Sequence, residues 1–134
     1  MLELSAQSVF AGMVTKIIDG DSVVVKKGRK YIEVRMYGID CPEWNQYYSI
    51  EAREYTATLL HNQQITLIPQ YHDKYGRLVA LLVKNGQDVN GELVRSGTEW
   101  VYPRFCHKEV CKTWLADQEI AKNEGRGLWQ RTVQ

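Results

Sequence analysis

The sequence predicts an α+β fold built from five short strands and about three helices. Three observations predict it. Runs rich in β-branched or alternating apolar residues recur between Val9 and Val83. A segment with helical spacing, Ser49 to Asn62, interrupts those runs after the third. From Val89 onward the patterning is helical, with glycines where helices should stop. At 134 residues, 44% apolar and 25% charged, residues 1–134 read as one domain with a real core. No apolar run approaches the length needed to span a bilayer.

Val9 to Ile18 reads as the first strand, and Asp19-Gly20 ends it as a turn. Ser22 to Lys26 is the second strand. The Lys26-Lys27-Gly28-Arg29-Lys30 run reads as a solvated hairpin turn rather than a binding patch, because Gly28 sits between two strand-like segments. Tyr31 to Tyr37 is the third strand and alternates strictly. Ile32, Val34 and Met36 face one way, and Glu33, Arg35 and Tyr37 the other, which puts Arg35 off the core face. Pro42 stops regular strand continuation.

Ser49 can cap the helix to Asn62, in which Ala52, Tyr55, Thr56, Leu59 and Leu60 follow helical spacing. Ile65 to Ile68 and Leu78 to Val83 are the fourth and fifth strands, the latter closed by an Asn85-Gly86 turn. Val89 to Ser96 is a short helix ended by Gly97. Trp100-Val101-Tyr102 is extended. His107 to Asn123 is a long amphipathic helix with Val110, Trp114 and Ala121 on one stripe, ended by Gly125. Five short strands with a helix after the third suit a closed Greek-key barrel of the oligonucleotide-binding type (OB-fold), one option among several α+β arrangements.

The net charge of +1 lacks the global basicity of a protein that binds nucleic acid through charge alone, so any such contact must be local. Met1 to Val14 lacks a basic start and carries Glu3, so it does not read as an intact signal peptide. Three cysteines cannot all pair within one chain. In a continuous helix Cys106 and Cys111 lie on different faces; if Cys106 precedes the helix, a disulfide becomes possible. A zinc site of Cys106, His107 and Cys111 lacks a standard spacing.

The chemistry-bearing residues cluster early. Asp21 opens the second strand and Asp40 follows the third, so an antiparallel hairpin brings both carboxylates to one end. Two hard oxygen ligands, completed by a backbone carbonyl and waters, suit calcium or magnesium. Asp19-Gly20-Asp21 begins like an EF-hand loop, but Val23 at the third ligand position excludes one. Glu43, close behind Asp40, can serve as a general base. Arg35 and Arg77 can each grip a phosphate with two hydrogen bonds. Each residue alone has a plainer reading: turn aspartates, a loop glutamate, surface ion pairs. Their joint order and spacing favour phosphodiester hydrolysis.

Taken together, Ile-Asp-Gly-Asp-Ser at 18–22, Val-Arg at 34–35, Gly-Ile-Asp-Cys-Pro-Glu at 38–43 and Asp-Lys-Tyr-Gly-Arg at 73–77 resemble the staphylococcal nuclease (thermonuclease) family. Val-Asn at 89–90, Leu-Val-Arg-Ser-Gly at 93–97 and Gly-Leu-Trp at 127–129 extend the resemblance over about residues 9–129. It implies that Asp21, Asp40 and the main-chain oxygen of Cys41 ligate Ca2+, with Asp19 beside the metal ordering its waters. It implies Glu43 as general base, Arg35 and Arg77 as phosphate clamps, and Lys74 and Tyr75 near the nucleotide's phosphate. Trp100 and Tyr102 fall where the family places aromatics near the base, and their spacing puts both on one face of an extended segment; core packing is the other reading of Trp100.

Cys41 replaces the threonine best known at its position, but the ligand there is a main-chain oxygen. Ser22 likewise replaces threonine, and the segment between Glu43 and the first helix is shorter than in the best-known member. The implied activity is calcium-dependent hydrolysis of DNA and RNA with low sequence specificity, leaving 3′-phosphate and 5′-hydroxyl ends. The rival is a non-catalytic OB-fold module that binds single strands, against which the intact acid and arginine set argues. A monomer with no membrane partner is expected. A calcium site with only two protein carboxylates is weak and fills at extracellular calcium. A secreted or periplasmic protein is therefore expected, its leader absent from this chain, with Cys106 and Cys111 paired; the cytoplasm stays open.

Overall fold

The computed structural model describes residues 8–133, and the side chains of residues 8–130. The earliest part of the segment read above for leader features, residues 1–7, lies outside the described residues. The first three strands form a meander: β1 (Phe10–Asp19), β2 (Ser22–Lys27) and β3 (Lys30–Met36). β1 also pairs antiparallel with β5 (Gln64–His72), which pairs antiparallel with β6 (Leu78–Lys84). β6 then lies parallel to β3, matching Val34 with Leu78 and Met36 with Ala80. That pairing closes a five-stranded mixed barrel of the OB type. β4 (Ile39–Asp40) and β8 (Trp100–Val101) make a small separate ladder, and β7 (Gln87–Asp88) extends β6.

Alternation decides the core. Val14, Val23, Val25, Val34, Met36, Ile65, Leu67, Ala80 and Leu82 project into the barrel and are buried. Three helices cover it: α1 (Ser49–Leu60), α2 (Val89–Arg95) and α3 (Val110–Asn123). Trp114, fully buried on α3, donates its indole N–H to Asp88 Oδ2 at 2.7 Å. Asp88 also caps α2 by accepting from the Gly91 N–H at 3.0 Å, so one carboxylate ties two helices together. Among the described residues, no helix is long and apolar enough to cross a membrane.

The basic run is an exposed hairpin turn, with Gly28 at φ 61° and Lys27 paired with Lys30. Five details differ from the sequence reading. Ser49 starts α1 but does not cap it; Tyr48 holds the cap position in a left-handed conformation, with no side-chain cap bond. α1 ends at Leu60, and Asn62 turns the chain at φ 62°. β5 continues past Pro69 to His72, because a bulge between Pro69 and Tyr71 absorbs the missing N–H. Tyr37 is buried rather than outward like Arg35. β3 stops at Met36, and the Tyr37 ring turns in against Trp114 and Tyr71, each 6.5 Å away between centroids.

The fifth difference is that α3 begins at Val110, not His107. Cys106 precedes the helix and is disulfide-bonded to Cys111, with Cα atoms 5.9 Å apart. The His107 N–H donates to the Tyr37 hydroxyl at 2.8 Å, which holds the preceding turn out of helical geometry. Cys41 is the free thiol, and it is buried.

Candidate active site

The site grows from the meander. The β1–β2 hairpin presents Asp19-Gly20-Asp21 at its turn, and β3 returns antiparallel so that Arg35 pairs with Ser22. The Met36 N–H donates to the Asp21 carbonyl at 2.9 Å, which locks the two ends together. β4 then delivers Asp40 to the same place. Arg35 Nη2 lies 3.4 Å from Asp21 Oδ2 and 3.5 Å from Asp40 Oδ1. Its Nη1 donates to the carbonyls of Met36 and Ile39 at 2.8 and 2.7 Å. Arg35 thus staples the β3–β4 turn and touches both carboxylates among the predicted metal ligands.

The carboxylates are individually anchored. The Cys41 N–H donates to Asp21 Oδ2 at 3.2 Å and to Asp40 Oδ1 at 3.0 Å, bridging the pair. The Ser22 hydroxyl donates to Asp21 Oδ1 at 3.1 Å. Asp19 Oδ1 accepts the Asp21 N–H at 3.1 Å in a tight Asx turn. The Thr56 hydroxyl donates to the Gly20 carbonyl at 2.7 Å, seating the turn on α1.

Crowding of acids sets the electrostatics. Burial, then the Asp21 carboxylate, pushes Asp19 up to about 6. Burial raises Asp40 against the opposing pull of Arg35. Beneath the turn lies Glu99, fully buried, with neither carboxylate oxygen hydrogen-bonded. Its burial, and next the Asp21 charge, drive its carboxyl well above the usual range. Burial and then Asp21 and Glu99 push the Cys41 thiol far up in the same way.

These residues fit a hard divalent cation. Asp21 and Asp40 converge on a single guanidinium nitrogen, and Glu99 leaves buried oxygens unpartnered behind them. Asp21, Asp40 and the Cys41 carbonyl make an all-oxygen donor set of the kind calcium takes. Glu43 stands in an exposed turn after Pro42, its N–H on Gln46 Oε1 at 2.7 Å, close enough for its charge to be felt at Asp40.

The second arginine belongs to the β5–β6 turn. Arg77 Nε pairs with Asp73 Oδ2 at 2.9 Å, and the Asp73 Oδ1 accepts the N–H groups of Tyr75 and Arg77 at 2.9 Å each. Burial alone would raise Asp73, but these bonds outweigh it and hold the carboxyl below its usual range. The parallel β3–β6 register sets Arg77 beside Glu33, and the two line a small pocket with exposed Tyr75. Lys74 and Arg77 both lie over the Tyr75 ring, at 5.3 and 5.6 Å from its centroid.

Trp100 pairs directly with Asp40 in the β4–β8 ladder, so their side chains share a face. It is partly exposed, whereas Val101 between it and Tyr102 is buried. Tyr102 packs edge-on against Phe105, with centroids 5.0 Å apart, and its N–H donates to the Gly38 carbonyl at 2.8 Å. Sequence reasoning did not place Glu99, Thr56, Phe105 or Trp44 at the site. Trp44 follows Glu43 and is 88% exposed. An aromatic beside a motif acid was the available signal for Trp44; nothing local marked Glu99.

The closed OB-type barrel, with aspartates gathered around Arg35 where the β1–β2 turn, β3 and β4 meet, defines the class: an α+β OB-fold domain with an acidic site. The family model described as staphylococcal nuclease homologue matches residues 33–131. A Haemophilus influenzae protein described as an uncharacterized endonuclease is 33% identical over 117 residues, 87% of this chain and 64% of that protein. A Shigella flexneri micrococcal nuclease is 29% identical over 138 residues, 96% of this chain and 79% of that protein. A Staphylococcus hyicus thermonuclease is 35% identical over 122 residues, 82% of this chain and 72% of that protein. The chain belongs to the staphylococcal nuclease family, and with it to the nuclease hydrolases.

Proposed function

We propose that the chain is a calcium-dependent phosphodiesterase that cuts DNA and RNA with low sequence specificity, leaving 3′-phosphate and 5′-hydroxyl ends. The observation that carries this reading is the convergence of Asp21 and Asp40 on Arg35, with the Cys41 amide bridging the two acids. Calcium, held by Asp21, Asp40 and the Cys41 carbonyl, would supply positive charge to a non-bridging phosphate oxygen. Asp19 orients water at the edge of that site. Glu43 takes the proton of the water that attacks phosphorus in line. Arg35 holds the equatorial oxygens from within the site, and Arg77 from the β5–β6 turn. Asp73 grips Arg77 through Nε, so the terminal nitrogens of Arg77 make the phosphate bonds.

Lys74 and Tyr75 flank the phosphate, while Trp100 and Tyr102 offer faces on which a base can stack. The chain acts as a monomer on its substrates. The paired Cys106 and Cys111 support a secreted or periplasmic setting, where disulfides persist and calcium is abundant.

Digestion of plasmid DNA and of RNA in calcium, magnesium and chelator tests the reading. Cutting is expected in calcium and is lost in chelator, with magnesium well below calcium because it demands tighter octahedral geometry. Equal cutting in chelator overturns the cation requirement, and single-strand binding without cutting in any condition points to the non-catalytic module instead. A second expected result isolates the base: Glu43→Gln keeps calcium and nucleotide affinity but slows turnover about 10²–10⁴-fold. The Glu43 side chain is exposed and sits in a turn, so the fold should be unaffected. Single-turnover kinetics at a near-native rate would move the proton transfer to another group.

A further inference from the structure

The acid cluster has a soft side that hydrolysis does not use. One oxygen of Asp19, one of Asp21 and the Cys41 sulfur all lie within 4.8 Å of one another. Ligands on one tetrahedral zinc-like ion, bonded at about 2.0–2.3 Å, stand about 3.3–3.8 Å apart, so side-chain shifts of up to about 1 Å close this triangle. Glu99 lies at the same place, fully buried and with both oxygens unpartnered. A Cβ built on Gly20 would meet Glu99 Oε2 at 2.9 Å and Cys41 Cβ at 3.0 Å, so acid and thiol flank the same glycine. Buried carboxylates are otherwise paired or bound to metal, and among the described residues Arg35 forms ion pairs with Asp21 and Asp40 but acts on Glu99 only at longer range.

We propose that Cys41 Sγ, Asp19 and Asp21, backed by the carboxylate of Glu99, form a binding site for a thiophilic divalent cation of the zinc–cadmium class. Thiolate sulfur selects such metals over calcium, which takes oxygen ligands alone. Binding forms a metal–sulfur bond and releases the thiol proton to solvent, with no change of oxidation state. Because Asp21 would serve both ions, the soft ion excludes calcium from the shared carboxylate and acts as an inhibitor of the proposed cation-dependent activity.

The Cys106–Cys111 disulfide makes this site directly readable, since it leaves Cys41 as the free thiol of the unreduced chain. The full chain, stripped of metal with chelator, is titrated with cadmium under non-reducing conditions. A thiolate-to-cadmium charge-transfer absorption is expected to rise to one equivalent per chain, with a higher melting temperature. Cys41→Ser, checked for native circular dichroism, should show no band. Glu99→Gln should keep the band but bind cadmium roughly 10–100-fold more weakly, as removal of a supporting outer carboxylate does. Asp19→Asn, which keeps an oxygen to accept the Asp21 N–H, serves the same purpose if Glu99→Gln does not fold.

Absence of the band in the native chain overturns the site. So does a band of unchanged affinity in both carboxylate variants, which would mean capture by the thiol alone. Neither outcome bears on calcium-dependent cutting, and a failure of cutting would leave the band intact, so the two readings stand or fall separately.

Discussion

Arg35→Lys is expected to lower kcat about 10²–10³-fold while changing KM far less, the loss typical of one donor aimed at transition-state charge. Lysine keeps the charge but not the planar guanidinium, whose Nη1 is committed to backbone carbonyls while Nε and Nη2 would face the phosphate once the acids hold the cation. The structure adds a second reason. Arg35 Nη1 donates to the Met36 and Ile39 carbonyls, and a single ammonium cannot reproduce both bonds while also facing Asp21 and Asp40. The β3–β4 turn would therefore loosen, and Asp40 with it. Steady-state kinetics at saturating calcium, paired with calorimetric calcium titration, separates these effects. A rise in KM alone would make Arg35 a binding residue. A large loss of calcium affinity with kcat intact would make it a positioning residue for Asp40.

Much of this site was legible because β-structure turns sequence offsets into directions. Strict alternation from Tyr31 put Arg35 off the core, and a hairpin through Gly28 required Asp21 and Asp40 to meet. Both inferences need only the two-residue period and antiparallel return. The barrel's closure was less accessible, because the parallel β3–β6 pairing joins residues more than forty positions apart through no local signal. Tyr37 turned inward where the strand period ended. The start of α3 followed the Cys106–Cys111 bond and the Tyr37 hydroxyl rather than helix propensity. Pro69 hid the second half of β5, since a proline argues against a strand until a bulge accommodates it.

Glu99 shows the deeper limit. In sequence it is one charged residue in a short polar stretch between a glycine stop and an extended segment, an ordinary place for a solvated side chain. Its burial comes from long-range assembly, when the segment after α2 packs beneath the β1–β2 turn. Gly20 makes that possible: any Cβ there would crowd Glu99, Cys41 and the Ala52 Cβ, the last at 3.2 Å. The glycine reads locally as half of an Asp-Gly turn, and in the structure it also provides the room for an acid from eighty residues away. The site's geometry was therefore visible in the motif, while its charge balance was not.

Glu99→Gln is expected to stabilise the calcium-free protein, increasingly so as pH rises. Burial holds the Glu99 carboxyl well above its usual range in the folded chain, whereas the unfolded chain exposes it to water. Below its ordinary pKa the group is protonated in both states, and glutamine, which resembles the neutral acid in shape, should change little. Above that value the unfolded chain releases the proton while the folded chain retains it, so stability of the native sequence falls as pH rises toward the folded pKa. The slope is at most about 1.4 kcal/mol per pH unit, so the variant's advantage should be larger at about pH 7 than at about pH 5. Urea unfolding in chelator at the two pH values measures it. A pH-independent advantage would show that Glu99 has the same affinity for its proton folded and unfolded, and would remove it as a source of strain. In saturating calcium the advantage should shrink, because a bound cation offsets the negative charge that makes ionised Glu99 costly; an advantage undiminished by calcium would place Glu99 outside the electrostatic reach of the cation.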